Sequence, residues 1–537
     1  MTGLTTKRCL HCLLSLNALP SFQSLAEMLT TVTFSLLLST FASVLSAEVF
    51  RFSSYYGNHM VLQKAPAKAV VWGFGQTGAK VVVSLSGSKN VSTTVINGIW
   101  RTTLRPVKAG GSYNLTASQS ITNSSITLTD VLFGDTWLCS GQSNMAFTVG
   151  QVINATEELA LASKFPDVRI FQAALAHSDE ELIDLARVEV PWSRPTAELL
   201  GGKQFSHFSA VCWLFGRYLY KTLKYPIGLV HSSWGGTPVE AWSSPRALHK
   251  CGLMKSVLPV QSYFMEGASV NWNSSVLWNA MIHPLLNMTI TGAIWYQGEA
   301  NTKYNRDKYN CSFPVMIDDW RMAFHEGSDG QTPPGFPFGF VQLSTYLKNN
   351  SKDGFREIRW HQTADYGYAP NERMKNTFMA LAIDLPDDRS PWGSIHPEDK
   401  QDVAYRLVLG ARAVAYGEKN VSFQGPFPTH ALLEQDLIYI VFNQGIEQGI
   451  AITNDRFFEI CCSEDKACGS DGKWFHVDIV KHGLYYVIVS TPKCPAANIT
   501  AVRYLWTDWP CQLKACPIYS SDGLLPAPPF ILAITKQ

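Results

Sequence analysis

The stretch Trp137-Leu-Cys-Ser-Gly-Gln-Ser-Asn-Met145 decides the fold. An apolar run, Val131 to Phe133 followed by Trp137 and Leu138, breaks into Ser140-Gly-Gln-Ser-Asn144. Hydrolytic α/β enzymes present a serine nucleophile in this way: a strand ends, the chain turns sharply, and a hydroxyl stands at the mouth of a helix. Gly141 permits the turn, and the N–H groups after it can face an oxyanion. The motif is not G-x-S-x-G, so a general α/β-hydrolase assignment does not follow. A serine at such a turn also serves as a helix N-cap. The neighbouring segments must decide.

Working outward, residues 131–417 alternate strand and helix. Strands are expected at Ile227–His231, Ile290–Tyr296, Phe338–Leu343 and Thr377–Ile383, the last ending in Asp384. Helices are expected at His207–Lys224, Val276–Leu286, Pro314–Phe324, Phe355–Ala364 and His396–Gly417, the last with Pro397 at its start. This alternation implies an α/β fold: a parallel sheet with helices on both faces, which binds ligands outside the carboxyl ends of its strands. Residues 48–130 read as a β-sandwich-like domain and 418–537 as a β-rich domain carrying clustered cysteines. Gly73-Phe-Gly-Gln-Thr-Gly78 matches the dinucleotide fingerprint. A strand, Ala79 to Leu85, follows it where the fingerprint needs a helix, so it is expected to be a hairpin turn.

Length and composition bound the rest. At 537 residues the chain exceeds one core, and 46% apolar content fills several. A net charge of +1 with no basic run argues against nucleic-acid binding. Residues 1–47 form a signal region whose apolar part, from Met28, ends in small residues at Ser46 and Ala47; no later segment is long enough to span a membrane. Ten sequons, at Asn90, Asn114, Asn123, Asn154, Asn273, Asn287, Asn310, Asn349, Asn420 and Asn498, agree with export and glycosylation. Six cysteines between Cys461 and Cys516 read as disulfides, because adjacent Cys461 and Cys462 poorly ligate one tetrahedral zinc. No His/Asp/Glu cluster has metal-ligand spacing, so neither metal nor cofactor is expected.

Four polar motifs each follow an expected strand: SGQSN (140–144), SSWGGTPVEAW (232–242), WYQGEAN (295–301) and DLPDDRSPWGSIHP (384–397). Convergence at one sheet edge is the signature of a single site. Acyl transfer needs a nucleophile, a base, oxyanion donors and a group to orient the base. Ser143 is the candidate nucleophile and His396 the candidate base, its ring kept neutral by the helix it begins. Backbone N–H groups of Ser143 and of Gly235 or Gly236 are candidate oxyanion donors, with the Gln297 amide as a third and Glu299 or Asn301 as neighbours. A glycosidase using Glu299 and Asp384 is a rival of another class, but no acid pair of defined separation is legible.

SGQSNM, SWGGTPVEAW, WYQGE and IHP, with FRFSSYYGNHMVLQK (50–64) and LPAPPF (525–530), resemble the blocks of SGNH-type carbohydrate esterases, specifically the sialate O-acetylesterase family. The resemblance covers nearly the whole mature chain. It implies an SGNH-like catalytic domain that removes acetyl groups from sialic acids on glycans, in lysosomes or outside the cell, by a metal-free serine mechanism through Ser143 and His396. An acetyl esterase of other polysaccharides and a catalytically dead glycan-binding protein are the alternatives. One position departs from the pattern. Many SGNH enzymes carry an acid three residues before the histidine, where this chain has Gly393. The orienting group is therefore either a nearby acid (Asp384 first, then Asp387 or Asp388) or a backbone carbonyl.

Overall fold

A computed structural model describes residues 49–253, 257–261, 269–348, 354–444, 449–463, 468, 473–492 and 494–536. The signal region and Asn349 lie outside them. Residues 50–537 fall within one compact unit.

The central sheet is built around the strand Ser124–Gly141, which ends at the serine motif. On one side lie Ile227–Ser233, Val168–Ala173 and the edge strand Val188–Ser193; on the other lie Gly292–Tyr296, Phe338–Gln342 and Thr377–Leu381. All pair in parallel except the antiparallel edge strand. The parallel strands beside the central one are buried along their whole length, because both of their faces are covered, whereas the edge strand exposes Glu189 and Pro191. Trp137 packs edge-on against Phe215 of the helix Ala210–Leu223 at 5.0 Å. Trp295, on the neighbouring strand, stacks on Phe313 and meets Trp320 edge-on, both from the helix Tyr309–Gly327. Helices therefore cover both faces. The chain leaves the central strand to one side and later returns to the other, so a switch point lies at its carboxyl end.

The expected boundary at 130/131 falls inside that central strand. Its first half pairs with Gly110–Gln119 in the β-rich N-terminal region and its second half with Ile227–Ser233 and Gly292–Tyr296. Asp130 marks the transition, with φ +54° and a register shift beside it. Arg169 and Arg194 each hold its carboxylate at 2.9 Å. The glycines of Gly73–Gly78 do precede a strand, Lys80–Leu85, but they do not form a hairpin. Val70–Phe74 belongs to a three-stranded sheet, whereas Lys80–Leu85 pairs in the other, so the glycines carry the chain between sheets.

Two helices differ from expectation. Val276–Leu286 contains a single π-helical turn at Trp278–Ile282 followed by a 3₁₀ turn at His283–Leu285, with Pro284 interrupting regular bonding. The last helix of this region is Lys400–Val414, capped by Asp399 through its bond from the Asp402 N–H at 3.0 Å. His396 therefore lies in the preceding loop and does not begin the helix.

The C-terminal region forms an eight-stranded, mostly antiparallel sheet. Disulfides join Cys139–Cys212, Cys251–Cys311, Cys461–Cys468, Cys462–Cys494 and Cys511–Cys516. Such bonds belong to an oxidising compartment, as in secreted or lumenal proteins. Among the described residues, no helix is long and apolar enough to cross a membrane. Asn90, Asn114, Asn123, Asn154 and Asn420 are exposed, while Asn273, Asn287 and Asn498 are half-buried. Asn310 is also half-buried, and its Nδ2, the atom that would carry a sugar, donates to Asp365 at 2.6 Å.

Candidate active site

Three of the four polar motifs meet by direct strand register: Gly141 faces Ser233 on one side and Tyr296 on the other. Gly141 has φ +139°, and a Cβ there would lie 2.2 Å from the Tyr296 carbonyl oxygen. Only glycine fits. The Gln142 N–H donates to that same carbonyl at 2.9 Å, and Gln142 Oε1 accepts from the Ala300 N–H at 3.2 Å. With the turn so fixed, Ser143 opens the short helix Ser143–Ala146.

Across the turn stands His396. Its Nε2 accepts from Ser143 Oγ–H at 2.8 Å, and its Nδ1–H donates to the Trp392 carbonyl at 2.9 Å. The carbonyl can only accept, so it fixes the tautomer that leaves Nε2 free to take the serine proton. The loop holds this arrangement locally. The His396 N–H bonds Gly393 O at 2.8 Å, and Ser390 Oγ–H donates to His396 O at 2.6 Å. Gly393 has φ +83°, so the turn that aims the Trp392 carbonyl uses a residue that adopts this conformation without strain. Phe205 lies edge-on to the imidazole at 5.0 Å and Phe147 stacks at 6.5 Å.

Asp384 does not orient His396. Its two carboxylate oxygens take NH1 and NH2 of Arg406 at 2.6 and 2.8 Å, and Tyr519 OH–O adds a third bond at 3.2 Å. Both members of the pair are buried. Lys514 N–H also bonds the Asp384 carbonyl at 2.7 Å, so this residue ties the central sheet to the C-terminal region. The same pairing removes Asp384 from the glycosidase alternative. Asp388 instead pairs with Lys348 at 3.0 Å, and Asp387 accepts from the Glu398 N–H at 3.2 Å.

Gln297 is not a free oxyanion donor either. Its Nε2 is spent on Asn301 Oδ1 at 2.8 Å and Thr237 O at 3.2 Å, while its Oε1 accepts from Tyr309 OH at 2.9 Å. Asn301 accepts from the Val239 N–H at 2.9 Å and donates to Glu240, so it braces the SSWGGTPVEAW loop. Gly235 and Gly236 are half-buried, and the Trp234 N–H bond to Gly141 O at 3.0 Å brings their loop against the Ser143 turn. Glu299 accepts from Asn144 Nδ2 at 2.5 Å, and burial raises its pKa above the ordinary carboxylate value.

Trp392, Asn144, Lys400, Phe147 and Phe205 were not singled out from sequence. Asn144 lies inside the quoted motif and Lys400 four residues beyond His396, but their bonds could not be seen there. Burial, assisted by the positive charge of Lys400 and opposed by the Trp392 carbonyl, pushes the His396 pKa down to about 4. Its neutrality thus comes from burial rather than from a helix terminus. A second serine–histidine pair lies on the adjacent strand, with His231 Nε2 and Ser233 Oγ at 2.6 Å. Burial pushes His231 down to about 3, and its Nδ1 has no hydrogen-bond partner among the described residues.

Residues 134–396 match the family described as carbohydrate esterase, sialic acid-specific acetylesterase. Residues 430–534 match the sialate O-acetylesterase C-terminal domain. The sialate O-acetylesterase of Homo sapiens is 51% identical over 500 residues, covering 91% of this chain and 93% of its own length. That of Mus musculus is 50% identical over 521 residues, with 91% and 95% covered. Among solved structures, a carbohydrate acetylesterase from Xanthomonas citri superposes with a TM-score of 0.72 at 26% identity, covering 90% of this chain and 99% of that one. The first matched segment contains Ser143 and closes on His396, the two residues that the turn and the loop bring within one hydrogen bond. By identity and coverage together, the chain belongs to the sialate O-acetylesterase family.

Proposed function

We propose that this chain is a serine esterase that removes O-acetyl groups from sialic acids on glycans, using an SGNH-type site. The observation that carries the chemistry is the 2.8 Å contact between Ser143 Oγ and His396 Nε2, with Nδ1 held by a backbone carbonyl. Ser143 attacks the acetyl carbonyl while His396 takes its proton. The N–H groups of Ser143 and of Gly235 or Gly236 receive the developing oxyanion. His396 then returns the proton to the sugar oxygen, and water releases acetate from the acyl-serine with His396 again acting as base. The disulfides and the exposed sequons support a secreted or lysosomal glycoprotein. The separate sheets at either end of the chain support a β-sandwich-like domain before the catalytic domain and a β-rich one after it.

A protonated imidazole cannot accept the serine proton, so activity requires pH above the His396 pKa. Because that pKa is lowered from the ordinary 6.5 to about 4, kcat/KM is expected to hold through mildly acidic pH and to fall only as pH drops through about 4. The test is acetate released from an O-acetylated sialoglycan, followed as a function of pH, with acetylated xylan as a control. Free sugar in place of acetate, preference for the xylan, or an acid limb near 6.5 contradicts the respective part of this proposal.

A further inference from the structure

Beneath the serine–histidine pair lies a charged group that the proposed chemistry does not use. Lys400 is fully buried, and it opens a helix, where the macrodipole also disfavours a cation. Its Nζ donates to Asn144 Oδ1 at 2.7 Å and to the Pro397 carbonyl at 2.7 Å. It also lies 4.7 Å from the Phe147 ring centre and 5.4 Å from that of Tyr296. Asn144 Nδ2 donates onward to Glu299 Oε1 at 2.5 Å and to the Ile395 carbonyl at 2.9 Å. Asn144 directly follows the nucleophile, and Ile395 and Pro397 flank His396. The bonds therefore bracket both reacting side chains.

An ion pair serving stability alone would place the ammonium directly on the carboxylate. Here an amide is interposed, and that amide belongs to the nucleophile turn. We propose that Lys400 is a positioning residue: through Asn144 and the Pro397 carbonyl it clamps the Ser143 turn to the His396 loop. This deepens the esterase proposal and rests on it.

The groups facing Lys400 are Glu299 from the loop after Gly292–Tyr296, Asp387 from the loop after Thr377–Leu381, and Glu398 and Asp399 from its own segment. All four favour the ammonium against burial, which brings its pKa to about 7. His396 faces the Lys400 charge and the Trp392 carbonyl. Below neutrality the clamp is charged while His396 remains neutral. Removing the charge should raise the His396 pKa.

The test uses the rate at which a fluorophosphonate labels Ser143, together with acetate release, between about pH 3 and 8. Wild type, Lys400→Met, Asn144→Ala and the double variant are compared. Each single substitution is expected to slow labelling on the order of 10- to 10²-fold, as misplacement of reacting groups does. The double variant should be no slower than the slower single one, because both break one connection. In Lys400→Met the acid limb should move up by about half a pH unit or more while KM changes little. Wild-type labelling with an unmoved acid limb in Lys400→Met, or losses that multiply in the double variant, overturns the inference. If Lys400→Met does not fold, unchanged labelling in Asn144→Ala overturns it alone. A wild type that labels at Ser143 but releases no acetate from the sialoglycan counts against the substrate proposal; the labelling comparison still decides the role of Lys400.

Discussion

Replacing Ser143 with alanine is expected to lower kcat for acetate release by on the order of 10³-fold or more while the chain still folds. Among the described residues, this hydroxyl is the one bonded to the His396 imidazole, at 2.8 Å, and it stands on the turn that Gly141 and Gln142 fix against the Tyr296 carbonyl. The substitution removes one oxygen from a site that is 4% exposed and adds nothing, so packing is retained. Thermal unfolding within a few degrees of wild type, measured beside kcat, separates lost chemistry from lost fold. Turnover within about tenfold of wild type would remove Ser143 from the mechanism.

Asp384→Asn is expected to do the reverse. Breaking a buried ion pair by removing one charge typically costs about 3–5 kcal/mol, because the remaining charge stays in a site it cannot leave. Arg406 is that charge, held at 2.6 and 2.8 Å by a carboxylate that asparagine cannot reproduce. Unfolding midpoints in urea or heat should therefore fall markedly. The kcat of the molecules that remain folded should stay within a few-fold of wild type, since the Trp392 carbonyl supplies the bond that a triad takes from an acid. A triad role would instead cost about 10⁴ in kcat. Folded-fraction-corrected turnover distinguishes the two.

The central strand and the four at Ile227–Ser233, Gly292–Tyr296, Phe338–Gln342 and Thr377–Leu381 were legible because each is a short apolar run cut off by a polar motif, and a parallel sheet leaves those motifs at one edge; Val168–Ala173 and the edge strand Val188–Ser193, which carries exposed Glu189 and Pro191, were not. Ser143 and His396 follow from the same logic. The group that orients His396 was legible only as a choice between a nearby acid and a backbone carbonyl, since every residue carries a carbonyl and only the loop conformation aims that of Trp392 at the ring. Asp384 stood where a site acid would stand, but its partner Arg406 lies 22 residues on and Tyr519 another region away. Gln297 misled for a related reason. An amide suits an oxyanion and a buried brace equally, and only its bonds to Asn301 and Tyr309 separate the roles. At the last helix, Pro397 promised a start that the Asp399 cap places three residues later.

The central claim, a nucleophilic Ser143 activated by His396, has a rival inside the same sheet in Ser233 and His231, which are also within hydrogen-bond distance. Covalent labelling with a fluorophosphonate, followed by peptide mapping of the adduct, tests the claim most directly, because it marks whichever serine is activated. The account predicts a single adduct, on Ser143, that is lost in His396→Ala. An adduct on Ser233, or undiminished labelling of Ser143 without His396, would contradict it.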